Sequence, residues 1–154
     1  MDDSAKRLQA LEDRAAIADL IASYGPLADT GNGTALAQLW VEDGEYEIGG
    51  FGSVKGRADL AAMLKSETHR DLMERGCAHV LSPHTIALSG DQATAIGYSI
   101  VMRKAGETYE PWRVSANRWL LVRTADGWRV KRRENTTLDG SLDARQLLEM
   151  PHVP

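Results

Sequence analysis

Residues 14–29 carry apolar side chains at helical spacing. The members of this stripe are Ile17, Leu20, Ile21, Tyr24 and Ala28. They occupy the i, i+3, i+4 and i+7 positions of one face, which predicts an amphipathic helix with one buried side. Ser4 is a suitable N-cap, and Leu8 and Leu11 extend the stripe towards the N-terminus. We therefore expect one long helix that packs against a large apolar surface.

The C-terminal end of this helix carries the acidic residue Asp29. Gly25 and Pro26 precede it, and a proline lacks the N–H that continues the helical hydrogen bonds, so a bend there can turn Asp29 inward. A buried carboxylate needs a hydrogen-bonding partner. His79 is the strongest candidate in the sequence, and the functional hypothesis depends on this pair.

The rest of the chain divides into a helical part and a strand-like part. The apolar pattern over residues 57–74 predicts a helix that Gly76 ends. Over residues 77–137, four strand-like runs are separated by glycine-containing turn signals, which is typical of an antiparallel meander. Helices followed by long strands predict an α+β fold with helices on one face of a curved sheet. We expect residues 1–154 to form a single domain.

The strand predicted over residues 112–123 is apolar on both faces. One face carries Val114, Ala116, Leu120 and Val122, and the other carries Ser115, Asn117, Trp119 and Leu121. An antiparallel sheet with one face in water alternates between apolar and polar residues. We therefore expect the helices to cover one face and another copy of the chain to cover much of the other, in a dimer or trimer.

Composition narrows the class of partner. The 154 residues are 43% hydrophobic and carry a net charge of -4, and the pI is near 5.5. This balance argues against nucleic acid or an anionic membrane as a partner. The single Cys77 cannot form an intrachain disulfide, and the N-terminal residues lack the pattern of a secretory signal. No apolar run approaches the length of a membrane-spanning helix, so we expect a cytoplasmic protein.

His79 can act as a general base if Asp29 binds one ring nitrogen and leaves the other free. A histidine on a strand is more often structural, and that alternative stays open. His84 is expected on the opposite face of the strand, and a metal site from His69, His79 and His84 has no recognisable ligand spacing. Nothing near Cys77 marks it as a nucleophilic thiolate.

Two further patterns have simple structural interpretations. The glycine-rich segment 49–56 lacks the Gly-Lys-Ser/Thr ending of a phosphate-binding loop, so a hairpin is favoured over nucleotide binding. The basic cluster over residues 129–134 is most simply a solvated face, although one of its arginines could point inward and bind an anionic or electron-rich atom. The tryptophans and Tyr98 are more often core residues than stacking platforms.

Several short motifs together resemble the SnoaL-like branch of the NTF2-like superfamily. They are Arg14-Ala-Ala-Ile-x-Asp-Leu, Asp29, the Leu-x-x-Leu-Trp-x-x-Asp-Gly segment from Leu36 to Gly44, Gly52-x-x-x-Gly56, His79 and Asp126-Gly-Trp-Arg-Val. Within this branch the chain is most similar to the hexachlorocyclohexane (lindane) dehydrochlorinases, and more distantly to the scytalone dehydratases. The resemblance implies a cystatin-like cone of helices on a strongly curved, mixed, mainly antiparallel sheet, with a deep apolar pocket.

The resemblance also implies roles for individual residues. Asp29 and His79 match a dyad that removes a proton during elimination, and Arg133 matches an arginine at the pocket. Tyr24 stands where the dehydrochlorinases have a lysine that assists the leaving halide, and residues 98–102 lack the second pocket histidine of the scytalone dehydratases.

The inward orientation of Arg133 depends on this resemblance, because simple strand alternation places Arg133 opposite Trp128 and Val130.

The leading hypothesis is a lyase or isomerase that needs no cofactor or metal and acts on a small, largely apolar, cyclic molecule. Asp29 would orient His79, His79 would take a proton from carbon, and a polar side chain would polarise an oxygen. The alternative is a non-catalytic ligand carrier or accessory subunit, because one fold hosts both kinds of function. The candidate substrate contacts are Tyr24, Arg133, Asn117 and Trp119.

Overall fold

The structure, a computed structural model that describes residues 2–149, combines five α-helices with a seven-stranded sheet. The helices are α1 (Asp3–Asp29), α2 (Gly33–Ala37), α3 (Arg57–Ala62), α4 (Glu67–Arg75) and α5 (Leu142–Leu147). The strands are β1 (Trp40–Ile48), β2 (Gly52–Lys55), β3 (Cys77–Leu81), β4 (Thr85–Ser89), β5 (Gln92–Ala105), β6 (Thr108–Thr124) and β7 (Gly127–Thr137). Within the described residues, no helix has both the length and the apolar character needed to cross a membrane.

The sheet is mixed and mainly antiparallel. Its strands follow the order β2-β1-β7-β6-β5-β3, and β4 also pairs with β5. The β1–β7 pair is parallel, and the other pairs are antiparallel. This topology confirms the predicted α+β class with a mixed, mainly antiparallel sheet.

The core lies between α1 and the inner face of the sheet. Large side chains from both layers are completely buried there, and their burial is the main source of stability for the fold. The fully buried examples are Ile17, Leu36, Trp40, Trp119 and Val130.

Helix α1 buries the predicted stripe but begins earlier than expected. Its N-cap is Asp2, whose carboxylate accepts a hydrogen bond from the Ala5 N–H at 2.9 Å, and not Ser4. Leu8 and Leu11 are 57% and 66% exposed, so the predicted extension of the stripe is wrong. The helix is buried only from Asp13 onwards, where it meets the sheet.

Gly25 brings α1 into direct contact with β3. A Cβ atom at this position would lie 2.1 Å from the backbone oxygen of His79, so a side chain there is excluded. The helix continues through Pro26 as far as Asp29 and does not break at the proline. The close approach of the two backbones at Gly25 therefore places Asp29 beside β3.

Two predicted elements are interrupted. The helix predicted over residues 57–74 divides into α3, a 3-10 turn at Met63–Lys65, and α4. The break occurs at Ser66, which has an extended backbone and caps α4 by accepting a hydrogen bond from the His69 N–H at 3.2 Å. The first strand-like run is likewise divided into β3 and β4 by residues 82–84.

Helix α5 covers part of the outer face of the sheet. Arg118 on β6 donates hydrogen bonds to the backbone oxygens of Gln146 and Glu149, at 3.0 and 2.7 Å. Val80 and Tyr98 point to the same face and remain 48% and 47% exposed. The chain thus supplies some of the cover that was expected from another copy, and the predicted oligomer stays a prediction.

Candidate active site

A cavity of about 350 Å³ lies between the helices and the inner face of the sheet. Most of its wall is apolar, which is typical of small-molecule sites. Its titratable lining residues are Tyr24, Tyr46, His69, His79, Arg113 and Arg133.

Asp29 and His79 form a hydrogen-bonded pair at this cavity. The Nδ1 atom of His79 lies 2.6 Å from Oδ1 of Asp29, and the His79 backbone N–H donates to Oδ2 of the same carboxylate at 3.0 Å. A carboxylate accepts hydrogen bonds, so it holds the proton on Nδ1. Within the described chain Nε2 makes no hydrogen bond, and it is the nitrogen left to accept a proton from a ligand.

The Asp29 carboxylate is stabilised in its ionised form. Burial alone would raise its pKa, but the hydrogen bonds from the His79 side chain and backbone outweigh burial and lower the pKa of the carboxyl. Cys77, two residues before His79 and therefore on the same face of β3, adds a thiol donor at 3.4 Å from Oδ1. The ionised carboxylate can stabilise an imidazolium when His79 gains a proton.

Asp29, Cys77 and His79 also place potential metal ligands close together, with their ligand atoms within 4.8 Å of one another. The chemistry of this set fits a hydrogen-bonded dyad better than a metal centre. Burial and the negative charge of Asp29 raise the pKa of the Cys77 thiol to about 11, which disfavours the thiolate that a metal binds.

His69 lies beside the dyad and was not expected there. Its ring centroid is 5.5 Å from that of His79, and its Nε2 donates to the backbone oxygen of Ala28 at 2.7 Å. Burial lowers the pKa of His69, and the neighbouring His79 lowers it further. His69 is therefore a neutral residue that lines the cavity, and its Nε2 already has a hydrogen-bond partner.

Arg133 faces the cavity because β7 contains a bulge. Leu120 of β6 pairs with Arg132 while Leu121 pairs with Val130, so Lys131 is an extra residue in β7. The extra residue puts Arg133 on the same side as Trp128 and Val130, and Arg133 is only 1% exposed. The alternation argument, which placed Arg133 on the opposite side, is therefore wrong.

The guanidinium of Arg133 is enclosed by three aromatic rings. Its carbon lies 4.1 Å from the ring centre of Tyr24, 4.5 Å from that of Tyr46 and 4.2 Å from that of Trp119. Oδ1 of Asn117 accepts hydrogen bonds from Nε and Nη2 at 3.0 and 2.8 Å. Nη1 has no hydrogen-bond partner in residues 2–149.

Asn117 and Trp119 do not line the cavity, although both were candidate substrate contacts. Each is fully buried. The amide of Asn117 and the ring of Trp119 instead contact the Arg133 guanidinium, so they can fix its position. Tyr24 does line the cavity, and burial raises the pKa of its phenol well above the ordinary value, which keeps it a neutral donor.

His84 is separate from this group. Its Nε2 accepts a hydrogen bond from the Trp119 indole at 3.1 Å, and its Nδ1 donates to the Ser82 backbone oxygen at 2.7 Å. Burial, with a smaller contribution from the charge of Arg133, lowers the pKa of His84 to about 4, so the ring is neutral at pH 7. Both of its nitrogens are engaged in the protein itself.

Sequence reasoning missed four residues of the site. Cys77 shares the parity of His79 on β3, and Arg113 shares the parity of Ser115 on β6, so strand alternation could have identified both. Tyr46 lies in an alternating run and could have been found in the same way. His69 gave no such signal.

Comparison with known proteins identifies the fold family. The model of the SnoaL-like domain matches residues 9–134. The chain belongs to this family. A crystal structure of an NTF2-like protein with a cystatin-like fold from Novosphingobium aromaticivorans is 55% identical, with a TM-score of 0.94. The match covers 97% of this chain and 99% of that one, so this SnoaL-like chain has the NTF2-like, cystatin-like fold that its motifs predicted.

More distant structures share the fold of this SnoaL-like protein. A candidate scytalone dehydratase from Novosphingobium aromaticivorans is 23% identical with a TM-score of 0.70, covering 83% of this chain and 85% of that one. ActVI-ORFA from Streptomyces coelicolor is 22% identical with a TM-score of 0.71, covering 82% of this chain and 98% of that one. Among proteins with curated descriptions, none is significantly similar in sequence.

Proposed function

We propose that this SnoaL-like protein is a cofactor-independent lyase or isomerase that removes a proton from carbon in a small, largely apolar, cyclic substrate. The observation that carries the proposal is the 2.6 Å hydrogen bond between Asp29 and His79, on a ring that lines an apolar cavity. A dyad sealed in packed core would instead have favoured a ligand carrier. The candidate scytalone dehydratase with the same fold is consistent with such chemistry.

His79 is the base in this mechanism. Its Nε2 takes the proton as the C–H bond breaks, and Asp29 stabilises the imidazolium through Nδ1–H. The electron pair of the C–H bond moves towards an adjacent carbonyl group and produces an enolate oxygen. In a dehydration the enolate then expels the hydroxyl group of the next carbon, which takes the proton held by the His79 imidazolium and leaves as water. In an isomerisation the imidazolium returns that proton to another carbon.

In this mechanism Tyr24 and Arg133 stabilise the enolate oxygen. The Arg133 guanidinium has a free Nη1 and lies 4.1 Å from the Tyr24 ring centre. Donors that are fixed in position before the reaction stabilise developing charge strongly. Asn117 and Trp119 take the role of positioning residues, because they contact Arg133 and not the cavity.

Tyr24 also favours an oxygen-bearing substrate over a chlorinated one. A phenol can donate a hydrogen bond to a carbonyl or enolate oxygen, but it is neutral and cannot offer a departing chloride the positive charge of a lysine. The raised pKa of Tyr24 strengthens this argument, since it keeps the phenol protonated.

The test is deuterium exchange from D₂O into a panel of cyclic ketones, with dehydration of β-hydroxy carbonyl compounds and chloride release from hexachlorocyclohexane measured in parallel. We expect wild type to exchange ketone protons. His79→Ala should lower the rate by about 10²–10⁴-fold, the usual contribution of a general base. Tyr24→Phe should lower it by about 10²-fold, the usual loss for one oxyanion donor.

His69→Gln is the matched control, because His69 lines the same cavity but its Nε2 already donates to Ala28. We expect this variant to retain most of the exchange rate. Unchanged exchange in His79→Ala would refute the mechanism, and rapid chloride release unaffected by Tyr24→Phe would refute the preference for oxygen. Binding of cyclic ketones without any exchange would favour the alternative, a ligand-binding or accessory-subunit protein.

The setting proposed for this activity is the cytoplasm, with a small molecule as partner and neither nucleic acid nor membrane. The net charge of -4 and the single, half-buried Cys77 support it. A homo-oligomer is part of the proposal, because Val80 and Tyr98 leave an apolar area on the outer face of the sheet.

A further inference from the structure

The cavity contains two arginines that have no carboxylate partner in the described part of the chain, Arg113 and Arg133. Three other arginines of the sheet are paired with carboxylates: Arg103 binds Glu110, Arg123 binds Asp13, and Arg132 binds Glu45 and Glu47. A cation removed from water without a counter-ion is unfavourable. The positive charges of these two arginines are therefore not balanced by a carboxylate in the described residues.

Arg133 is held by an amide where a carboxylate would fit. Oδ1 of Asn117 accepts from two nitrogens of Arg133 and also from Nδ2 of Asn135 at 3.1 Å. An aspartate at position 117 would have nearly the same shape and would neutralise the guanidinium. Asparagine fixes the geometry and leaves the positive charge uncompensated.

Arg113 has one nitrogen available. Its Nε donates to the Ser115 hydroxyl at 3.1 Å, and its Nη2 donates to the Gly49 backbone oxygen at 2.6 Å and to Oδ1 of Asn135 at 2.8 Å. Its guanidinium carbon also lies 5.2 Å from the Phe51 ring centre. Across residues 2–149, Nη1 makes no hydrogen bond. These contacts fix the side chain and leave room for one monovalent acceptor, whereas a phosphate would need more donors.

The sheet register places Arg113 in line with the general base. His79 of β3 pairs with Val101 of β5, and Val101 pairs with Arg113 of β6. All three side chains line the cavity. Neighbouring strands are about 4.8 Å apart, so the Cα atoms of His79 and Arg113 are separated by about 10 Å across one apolar residue. A small cyclic molecule of ordinary size spans that distance.

We infer that the substrate is an anion, with a carboxylate bound by Arg113 while the reacting carbon lies at His79. The orientation of the substrate in this inference rests on the proposed function. The preference of the cavity for an anion over a neutral molecule does not depend on catalysis. Arg133 then stabilises the enolate oxygen, which becomes negative during the reaction. Arg113 binds the carboxylate, which is negative before the reaction begins.

The electrostatics of Arg113 agree with this assignment. Burial lowers the pKa of its guanidinium, and the positive charge of Arg133 lowers it further. Both effects mean that the charged form is held in an unfavourable environment, which an incoming anion would relieve. The apolar walls strengthen the attraction between the anion and the arginine, because they lower the local dielectric.

The test compares trans-cinnamate with trans-cinnamamide, two probes of similar shape that differ in charge, by calorimetric titration at pH 7 and low salt. We expect wild type to bind cinnamate at least about tenfold more tightly, the value of one charge-assisted hydrogen bond. Arg113→Gln should reduce cinnamate affinity to that of the amide. Asn117→Asp, which supplies Arg133 with a counter-ion, should also reduce the preference and provides a second variant if Arg113→Gln fails to fold.

Arg103→Gln is the matched control, because Arg103 lies on β5 outside the cavity and is already paired with Glu110. It should leave the preference unchanged. Failure of ketone exchange with an intact charge preference would overturn the proposed function alone. Equal affinity of wild type for the two probes, no binding of cinnamate, or a preference that survives in the folded variants would overturn this inference.

Discussion

Replacement of Gly25 by alanine tests whether the contact between α1 and β3 sets the geometry of the dyad. The new Cβ would lie 2.1 Å from the His79 backbone oxygen, and contacts below 3.0 Å essentially never occur. Helix and strand must therefore separate by about 1 Å. The Asp29–His79 distance of 2.6 Å would then approach about 3.6 Å, which is beyond hydrogen-bond length.

The expected effects follow from this displacement. Alanine gains about 1 kcal/mol of helix propensity over glycine, but a clash with rigid backbone costs about 3 kcal/mol. The net loss of about 2 kcal/mol corresponds to a fall in melting temperature of about 4–8 °C for a chain of this size. A 1 Å misplacement of catalytic groups lowers rates by about 10²-fold. The exchange rate should therefore fall much more than the loss of folded protein alone would cause.

The assay combines thermal unfolding, ketone exchange and the downfield ¹H resonance of the His79 Nδ1 proton, which reports the dyad without any substrate. Gly33→Ala is the matched control, because its Cβ would lie 2.3 Å from the Ala61 backbone oxygen, a similar clash that involves neither dyad residue. It should lose stability and keep the resonance. A Gly25→Ala variant with an unchanged resonance and normal exchange would refute the reasoning.

Two further predictions concern stability and assembly. Asp13 accepts two hydrogen bonds from Arg123, each 2.7 Å long, and its pKa is lowered to about 2. The ionised carboxylate should therefore stabilise the folded protein by about 2 kcal/mol. This contribution should be complete above about pH 4 and lost as the pH falls through 2. Urea unfolding should therefore show a gap between wild type and Asp13→Asn at pH 7 that narrows at pH 3, and a constant gap would contradict the ion pair. Light scattering should give a mass at least twice 16.9 kDa, and Val80→Lys combined with Tyr98→Glu should lower it; a monomeric wild type would count against the oligomer.

Elements with strong periodicity could be predicted from the sequence. The stripe of α1 is buried from Ile17 to Ala28, and glycine-containing turns separate the long strands as expected. The ends and breaks of elements could not be predicted as well. Ser66 breaks a continuous apolar helix pattern because its capping hydrogen bond and extended backbone outweigh propensity, and Leu8 shows that apolar spacing alone does not ensure a partner surface.

The Asp29–His79 dyad is the part of the site that could be predicted from the sequence. Asp29 is a carboxylate at the end of an apolar helix, and His79 is the strongest candidate in the sequence for its partner; the family resemblance implies the same pair. Their separation in space depends on Gly25, whose missing side chain is what allows the backbones to touch. Local periodicity contains no information about such a contact, because it joins residues that are 50 positions apart.

Two single-residue bulges border the cavity, one in β6 and one in β7. Val101 pairs with Arg113 and Met102 with Pro111, so Trp112 is an extra residue, and both it and Arg113 line the cavity. The bulge in β7 has a larger consequence.

Without the bulge at Lys131, strict alternation from Val130 would direct Arg132 and Glu134 inward, and these two side chains neutralise each other in an ion pair. With it, Arg133 and Asn135 face inward, and the cavity gains a positive charge that has no counter-ion among residues 2–149. The residue type of Lys131 does not predict a bulge, because lysine is not a glycine. Its φ angle is also not positive. The feature that distinguishes an anion-binding pocket from a neutral one therefore lies in strand register, which a simple alternation rule does not contain.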